Sequence, residues 1–206
     1  IKILGLYILM PVLAIYTLIL YVYLIQIIVN WELPNGWVSW LVTVLALAGF
    51  ITLMLQYPLR VEKQKVAALF ARFFPLILLP LLVLMTVGIF RRLSDYGLTI
   101  NRAYVLVFNI WLYGISIYLL ITQSKYLKYI IYSFSIIAVL ISIGPWSVFS
   151  ITKRTLLNET RELLSSMKYL ENEKLKDVET LKSIIITEEQ AKKLEEKVSY
   201  LALNYG

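Results

Sequence analysis

Residues 3–29 carry no charged side chain. At about 1.5 Å per residue, a helix of that length exceeds a ~30 Å hydrocarbon core and crosses it with some tilt. Pro11, near its start, is a place for a kink. The stretch Asn30-Trp31-Glu32-Leu33-Pro34-Asn35-Gly36-Trp37 then reads as a turn, because Pro, Asn and Gly supply turn conformations. Four further apolar runs follow, over residues 37–57, 73–90, 103–122 and 129–149. The third is bounded by Arg72 and by Arg91-Arg92, and it contains Pro75 and Pro80. Membrane helices tolerate such prolines where neighbours satisfy the freed carbonyls. Trp31, Trp37 and Trp40 suit an aromatic belt at the membrane surface.

The segment between the second and third runs is a basic connector with Arg60, Lys63, Lys65 and Arg72 against Glu62. Val66, Leu69, Phe70 and Phe73 recur in it at helical spacing, so part of it is expected to lie along the interface. After Ser150 the pattern changes. Leu156, Thr160, Leu163, Leu164, Met167 and Leu170 form one amphipathic stripe. Thr187-Glu188-Glu189-Gln190 is a capping box that starts a helix with Ala191, Leu194, Val198, Leu201 and Ala202 on one face. The expected architecture is therefore all-α: a polytopic membrane helical bundle of about five transmembrane helices over residues 1–150, then a soluble amphipathic helical tail over 151–206.

Composition agrees with this reading. Of the 206 residues 60% are hydrophobic and 16% charged, against about half and a quarter in soluble domains. Ten Lys/Arg and three Asp/Glu fall in residues 1–150, and ten of each in 151–206, so the net charge of +7 belongs to the membrane part. These cations flank apolar runs rather than making one basic face, which points to the lipid bilayer and away from nucleic acid. The chain has no Cys and no His. No thiolate or imidazole can therefore serve as metal ligand, nucleophile or general base, and no cofactor or metal is expected. The chain begins with Ile1, which reads as an internal position.

The sides of the membrane are distinguished by charge. Lys2, the connector cations, Lys125 and Lys128 fall on one side; Arg91, Arg92 and Arg102 fall on the other, together with the tail. Counting short loops alone gives seven basic residues against three. Such an excess marks the cytoplasmic side, so the tail is expected to be extracytoplasmic.

The most informative segment is Arg91-Arg92-Leu93-Ser94-Asp95-Tyr96-Gly97-Leu98-Thr99-Ile100-Asn101-Arg102. One reading is a tight helical hairpin. Gly97 then takes the left-handed position past a helix end, Thr99 caps the next helix, and Asp95 pairs with Arg91 one turn away. The other is an anion or headgroup site built from Arg91, Arg92, Asp95, Tyr96, Thr99, Asn101 and Arg102, because guanidiniums and a helix N-terminus both favour anions. Asn109, about two turns into the following helix, is a further intramembrane polar group, and such groups tend to be functional.

Phe90 to Arg102 of this stretch also resembles the signature of a bacterial membrane family catalogued as domain of unknown function 4153. Gly144-Pro145-Trp146-Ser147-Val148-Phe149-Ser150 with Lys153-Arg154 is similar to its second signature. Leu78-Leu79-Pro80-Leu81-Leu82-Val83-Leu84-Met85 matches as well, and the resemblance spans roughly residues 60–161. It implies a multispanning protein of the bacterial inner membrane, with more spans upstream and a soluble region downstream. It implies no activity, catalytic residue or cofactor.

Three function classes are compatible with these features. A non-enzymatic membrane module would anchor or couple its C-terminal region to an envelope or signalling assembly. Its tail would dock on a protein partner or a downstream domain, since balanced charge argues against anionic membranes. A transporter would use Pro75 and Pro80 to break a helix, but no charge lies mid-span. A membrane enzyme on a lipid-linked substrate would need its acids together, and Glu32, Glu62 and Asp95 lie in different loops.

Overall fold

In the computed structural model, which describes residues 3–30, 37–62, 64–167, 169–171, 174–175 and 188–205, every long element is helical. A π-helical segment, Ile3–Leu9, leads into α1, Met10–Asn30. Pro11 has no N–H to offer the carbonyl four residues back, and the wider turns before it absorb that missing bond. Then come α2 (Trp37–Leu55), α3 (Tyr57–Val61), α4 (Lys65–Tyr96), α5 (Ile100–Ile121) and α6 (Lys128–Ser142). Four helices among the described residues are long and apolar enough to cross a membrane. The protein is an all-α polytopic membrane bundle.

Two boundaries differ from the sequence expectation. The third span is one helix of 32 residues that begins at Lys65, so Val66, Leu69 and Phe70 are its first turns rather than a separate interfacial piece. It runs through Pro75 and Pro80 without a break. The fifth apolar segment ends as a helix at Ser142, not Phe149. Its 15 residues rise only about 22 Å. Gly144 has φ +85°, Pro145 disfavours helix in the residue before it, and Ser147 then caps a new helix by accepting the Ser150 N–H at 3.2 Å.

The chain divides into two compact units, Ile1–Val139 and Leu140–Gly206. In the first, α4 lies at the centre, packed on α5 and α2. Half of its apolar window is buried, against 11% for that of the first span, so the first span is peripheral. Two tyrosines pin α1 to the bundle: Tyr16 donates to the Leu41 carbonyl at 3.0 Å and Tyr21 to that of Ile77 at 2.7 Å. The core is built from Val42, Leu45, Leu78, Leu82, Leu112 and their neighbours. Ile15, Ile19, Val22, Ile25 and Ile28 point outward. In water such a face would be unfavourable by roughly 25 cal/mol per Å²; lipid removes that cost.

In the second unit, α7 (Val148–Ser166) packs against α8 (Glu188–Tyr205). Tyr205 meets Phe149, with ring centroids 4.4 Å apart, and Lys197 pairs with Glu159, so the two helices run antiparallel. Val148, Thr152, Leu156 and Thr160 form the buried stripe at four-residue spacing. Leu170 is not part of it. It lies in a two-residue strand, Leu170–Glu171, paired antiparallel with Lys174–Leu175. Helix α8 is described from Glu188, and Thr187, the expected N-cap, is outside the described residues.

Candidate functional site

The segment from Arg91 to Arg102 forms the α4–α5 hairpin. Gly97 has φ +73° and its N–H bonds the Leu93 carbonyl at 2.9 Å, closing α4. Thr99 occupies the N-cap of α5 in extended conformation, yet its side chain makes no cap hydrogen bond. Arg102, half-buried, donates from Nη1 to the Gly97 carbonyl at 2.7 Å. Its guanidinium thus satisfies the end of the preceding helix. Arg91, Arg92 and Asn101 are exposed. The side chains of Asp95 and Tyr96, which complete the anion constellation, lie outside the described residues.

A second polar group sits within the bundle, between α4 and α5. Thr86 Oγ1 donates to the Leu82 carbonyl at 2.8 Å. With its one proton committed, it accepts from Asn109 Nδ2 at 2.7 Å and from the Tyr113 hydroxyl at 3.1 Å. Asn109 is buried, and its Oδ1 has no hydrogen-bond partner among the described residues. Trp111 Nε1 donates to Ser133 Oγ at 3.0 Å, tying α5 to α6. Interhelical bonds of this kind contribute about 0.6 kcal/mol each on average, enough to hold register.

The third group lies at the opposite end of α4, where sequence reading saw only a basic connector. Gln56, just after α2, is fully buried and donates to the Gly5 carbonyl at 3.0 Å. A Cβ on Gly5 would stand 3.2 Å from Gln56 Cγ, so glycine permits the approach. Arg60 donates from Nη1 to the Ser124 carbonyl at 2.7 Å and from Nη2 to that of Gln123 at 3.0 Å. Ser124 Oγ in turn donates to the Ala71 carbonyl at 2.8 Å. The turn they hold is a Schellman motif: Ser124 N–H reaches Leu119 O and Gln123 N–H reaches Leu120 O. Both Gln123 (φ +50°) and Ser124 (φ +55°) are left-handed without being glycine. Burial lowers the pKa of Arg60 from its ordinary value, partly offset by Tyr57, but a guanidinium stays charged near neutral pH.

Beside this junction opens a cleft of about 510 Å³. Its apolar lining is Met54, Leu127 and Ile131; Tyr57, Tyr126, Lys125 and Lys128 supply the polar part. Among the described residues, no carboxylate lines it. Donors and ammonium groups of this kind can bind anions.

Long apolar helices with outward-facing aliphatic side chains, joined by basic turns, define a polytopic integral membrane protein. Within that class the chain belongs to the family described as Domain of unknown function (DUF4153), whose model matches residues 1–178. The match reaches beyond the signature stretches at both ends. No curated protein and no solved structure matches the chain.

Proposed function

We propose that the chain is a non-enzymatic membrane module of the bacterial inner membrane that couples its C-terminal helical unit to a protein partner or a downstream domain. The observation that carries this reading is the second unit itself. Its two helices pair with each other, yet Val198 remains 48% and Leu203 86% exposed on α8. A Leu left in water forgoes roughly 1.5–3 kcal/mol, and the unit's balanced charge gives it little attraction to anionic lipid. A protein surface is the remaining sink. The unbroken course of α4 through Pro75 and Pro80 removes the feature that favoured a transporter. A photoreactive amino acid at Leu203 of the full chain is expected to give a discrete protein adduct in cells, lost when Val198→Glu is added. Adducts only to lipid, or adducts indifferent to Val198→Glu, would discard the coupling role.

The same proposal sets an orientation, with the junction end of the bundle cytoplasmic and the hairpin end opposite. Arg60, Ala71 and Ser124 share one end of the first unit, which gathers Lys65, Arg72, Lys125 and Lys128 near it. Single cysteines can be placed at Lys125 and at Asn101 of a chain that has none of its own. An impermeant thiol reagent should label the Asn101 site in spheroplasts and reach the Lys125 site only after permeabilisation. Labelling in the reverse order would invert the topology.

A further inference from the structure

We infer that the cleft beside the Arg60 junction holds the headgroup and upper acyl chain of an anionic glycerophospholipid. Its position comes first. The cleft is framed by the end of α2, the turn before α6 and the first turns of α6, where membrane-length helices stop and headgroups begin. Its chemistry is divided as an amphiphile's is. Met54, Leu127 and Ile131 offer apolar contact, while the Lys125 and Lys128 ammoniums offer two positive charges. Lys128 Nζ lies 5.4 Å from the Tyr129 ring centre, which holds that charge at the aromatic level of the interface. Tyr126, Tyr129 and Tyr132 stack edge to face along the same turns.

Three features exclude simpler occupants. A free phosphate ion has no use for the apolar lining. A neutral lipid leaves two ammoniums without a counter-charge, since no carboxylate among the described residues lines the cleft. Arg60 does not line the cleft, and its guanidinium donates to the Ser124 and Gln123 carbonyls. Its part is to hold the turn that presents Lys125. The two lysines and the apolar lining together suit an anionic phosphodiester that carries an acyl chain.

The experiment uses the full chain in neutral detergent, with melting temperature and native mass spectrometry as readouts. The probes are short-chain phosphatidylglycerol, short-chain phosphatidylcholine and inorganic phosphate. Phosphatidylglycerol should raise the melting temperature and remain bound; the other two should do neither. Each lysine near an anionic group is worth about a fivefold factor, so Lys125→Gln with Lys128→Gln should weaken the phosphatidylglycerol effect about thirtyfold. Ile131→Glu, which leaves both lysines in place, should weaken it too by setting a carboxylate in the cleft. Arg91→Gln with Arg92→Gln removes the same charge from the other end of α4 and should leave it intact. An undiminished effect in both cleft variants overturns the proposal. So does an equal response to phosphate or to phosphatidylcholine, and so does loss in the arginine pair instead, which would move the lipid to the hairpin.

Discussion

Gly49→Ala is expected to destabilise the bundle by about 2 kcal/mol, although helix propensity alone predicts the opposite. In a helix interior alanine is better than glycine by about 1 kcal/mol. At Gly49 a Cβ would fall 1.8 Å from Phe74 Cζ and within 2.5 Å of two further ring carbons. The ring has nowhere to go. Phe74 is buried, stacked on Phe70 at 5.2 Å, and held edge-on by Phe50 at 6.1 Å. Phe50 in turn meets Trp111 at 5.9 Å. Overpacking of a closed site costs typically 1–3 kcal/mol, occasionally more, and an overlap this deep belongs at the upper end. Thermal unfolding in detergent should therefore show a clear fall. Phe74→Leu, which removes the colliding atoms, should recover most of it in the double variant, a coupling that a double-mutant cycle isolates. A Gly49→Ala protein that melts at or above the parent temperature would mean that α2 and α4 do not approach this closely.

That close approach left no mark in the sequence that a reader could use. Gly49 is one glycine in an apolar run, and such runs are read for length, not for which face meets which neighbour. The spans themselves were legible because charge interrupts the apolar runs: Arg91-Arg92 fall in the last turns of α4 and Lys125 in the turn before α6. Two errors have the same root. Lys65 and Arg72 were read as loop because they are charged, but long cationic side chains can sit on the first turns of a membrane helix and reach the interface. Gly144-Pro145 was read as lying near the exit of a span over residues 129–149, on the length of the apolar run. Its local chemistry was the better guide: a left-handed glycine, a proline, then Ser147 as N-cap is a helix stop and restart. In the hairpin, Gly97 takes a positive φ with an extended ψ and Thr99 stands at the N-cap without a side-chain bond, whereas the use of Arg102 as a brace on the Gly97 carbonyl had no sequence signal.

The junction at the other end was illegible for a different reason. Arg60 bonds carbonyls 63 and 64 residues away, and a backbone acceptor carries no residue identity to search for. Lys125 and Lys128 marked a short loop, without a glycine to say which kind of turn it holds. The energetics make this the second large effect. Arg60→Ala removes two charge-assisted hydrogen bonds, each worth roughly 1.5–3 kcal/mol when sheltered; partial exposure of Arg60 places the sum on the order of 3 kcal/mol. It also releases a turn in which Gln123 and Ser124 hold left-handed backbone at about 1–2 kcal/mol apiece. Arg60→Lys should lose about half as much, because one ammonium cannot reproduce a planar fork across two carbonyls. Gln123→Gly tests the strain directly. Gln123 is exposed, so the change removes no packing. It should be neutral or stabilising by up to about 1 kcal/mol, the relief of left-handed strain less glycine's added chain entropy. Placed in that background, Arg60→Ala should cost less than it does alone, because glycine keeps the turn without being held there. Equal losses in the two backgrounds would mean that Arg60 contributes only its hydrogen bonds. No loss in either would remove the junction from the forces that set the bundle.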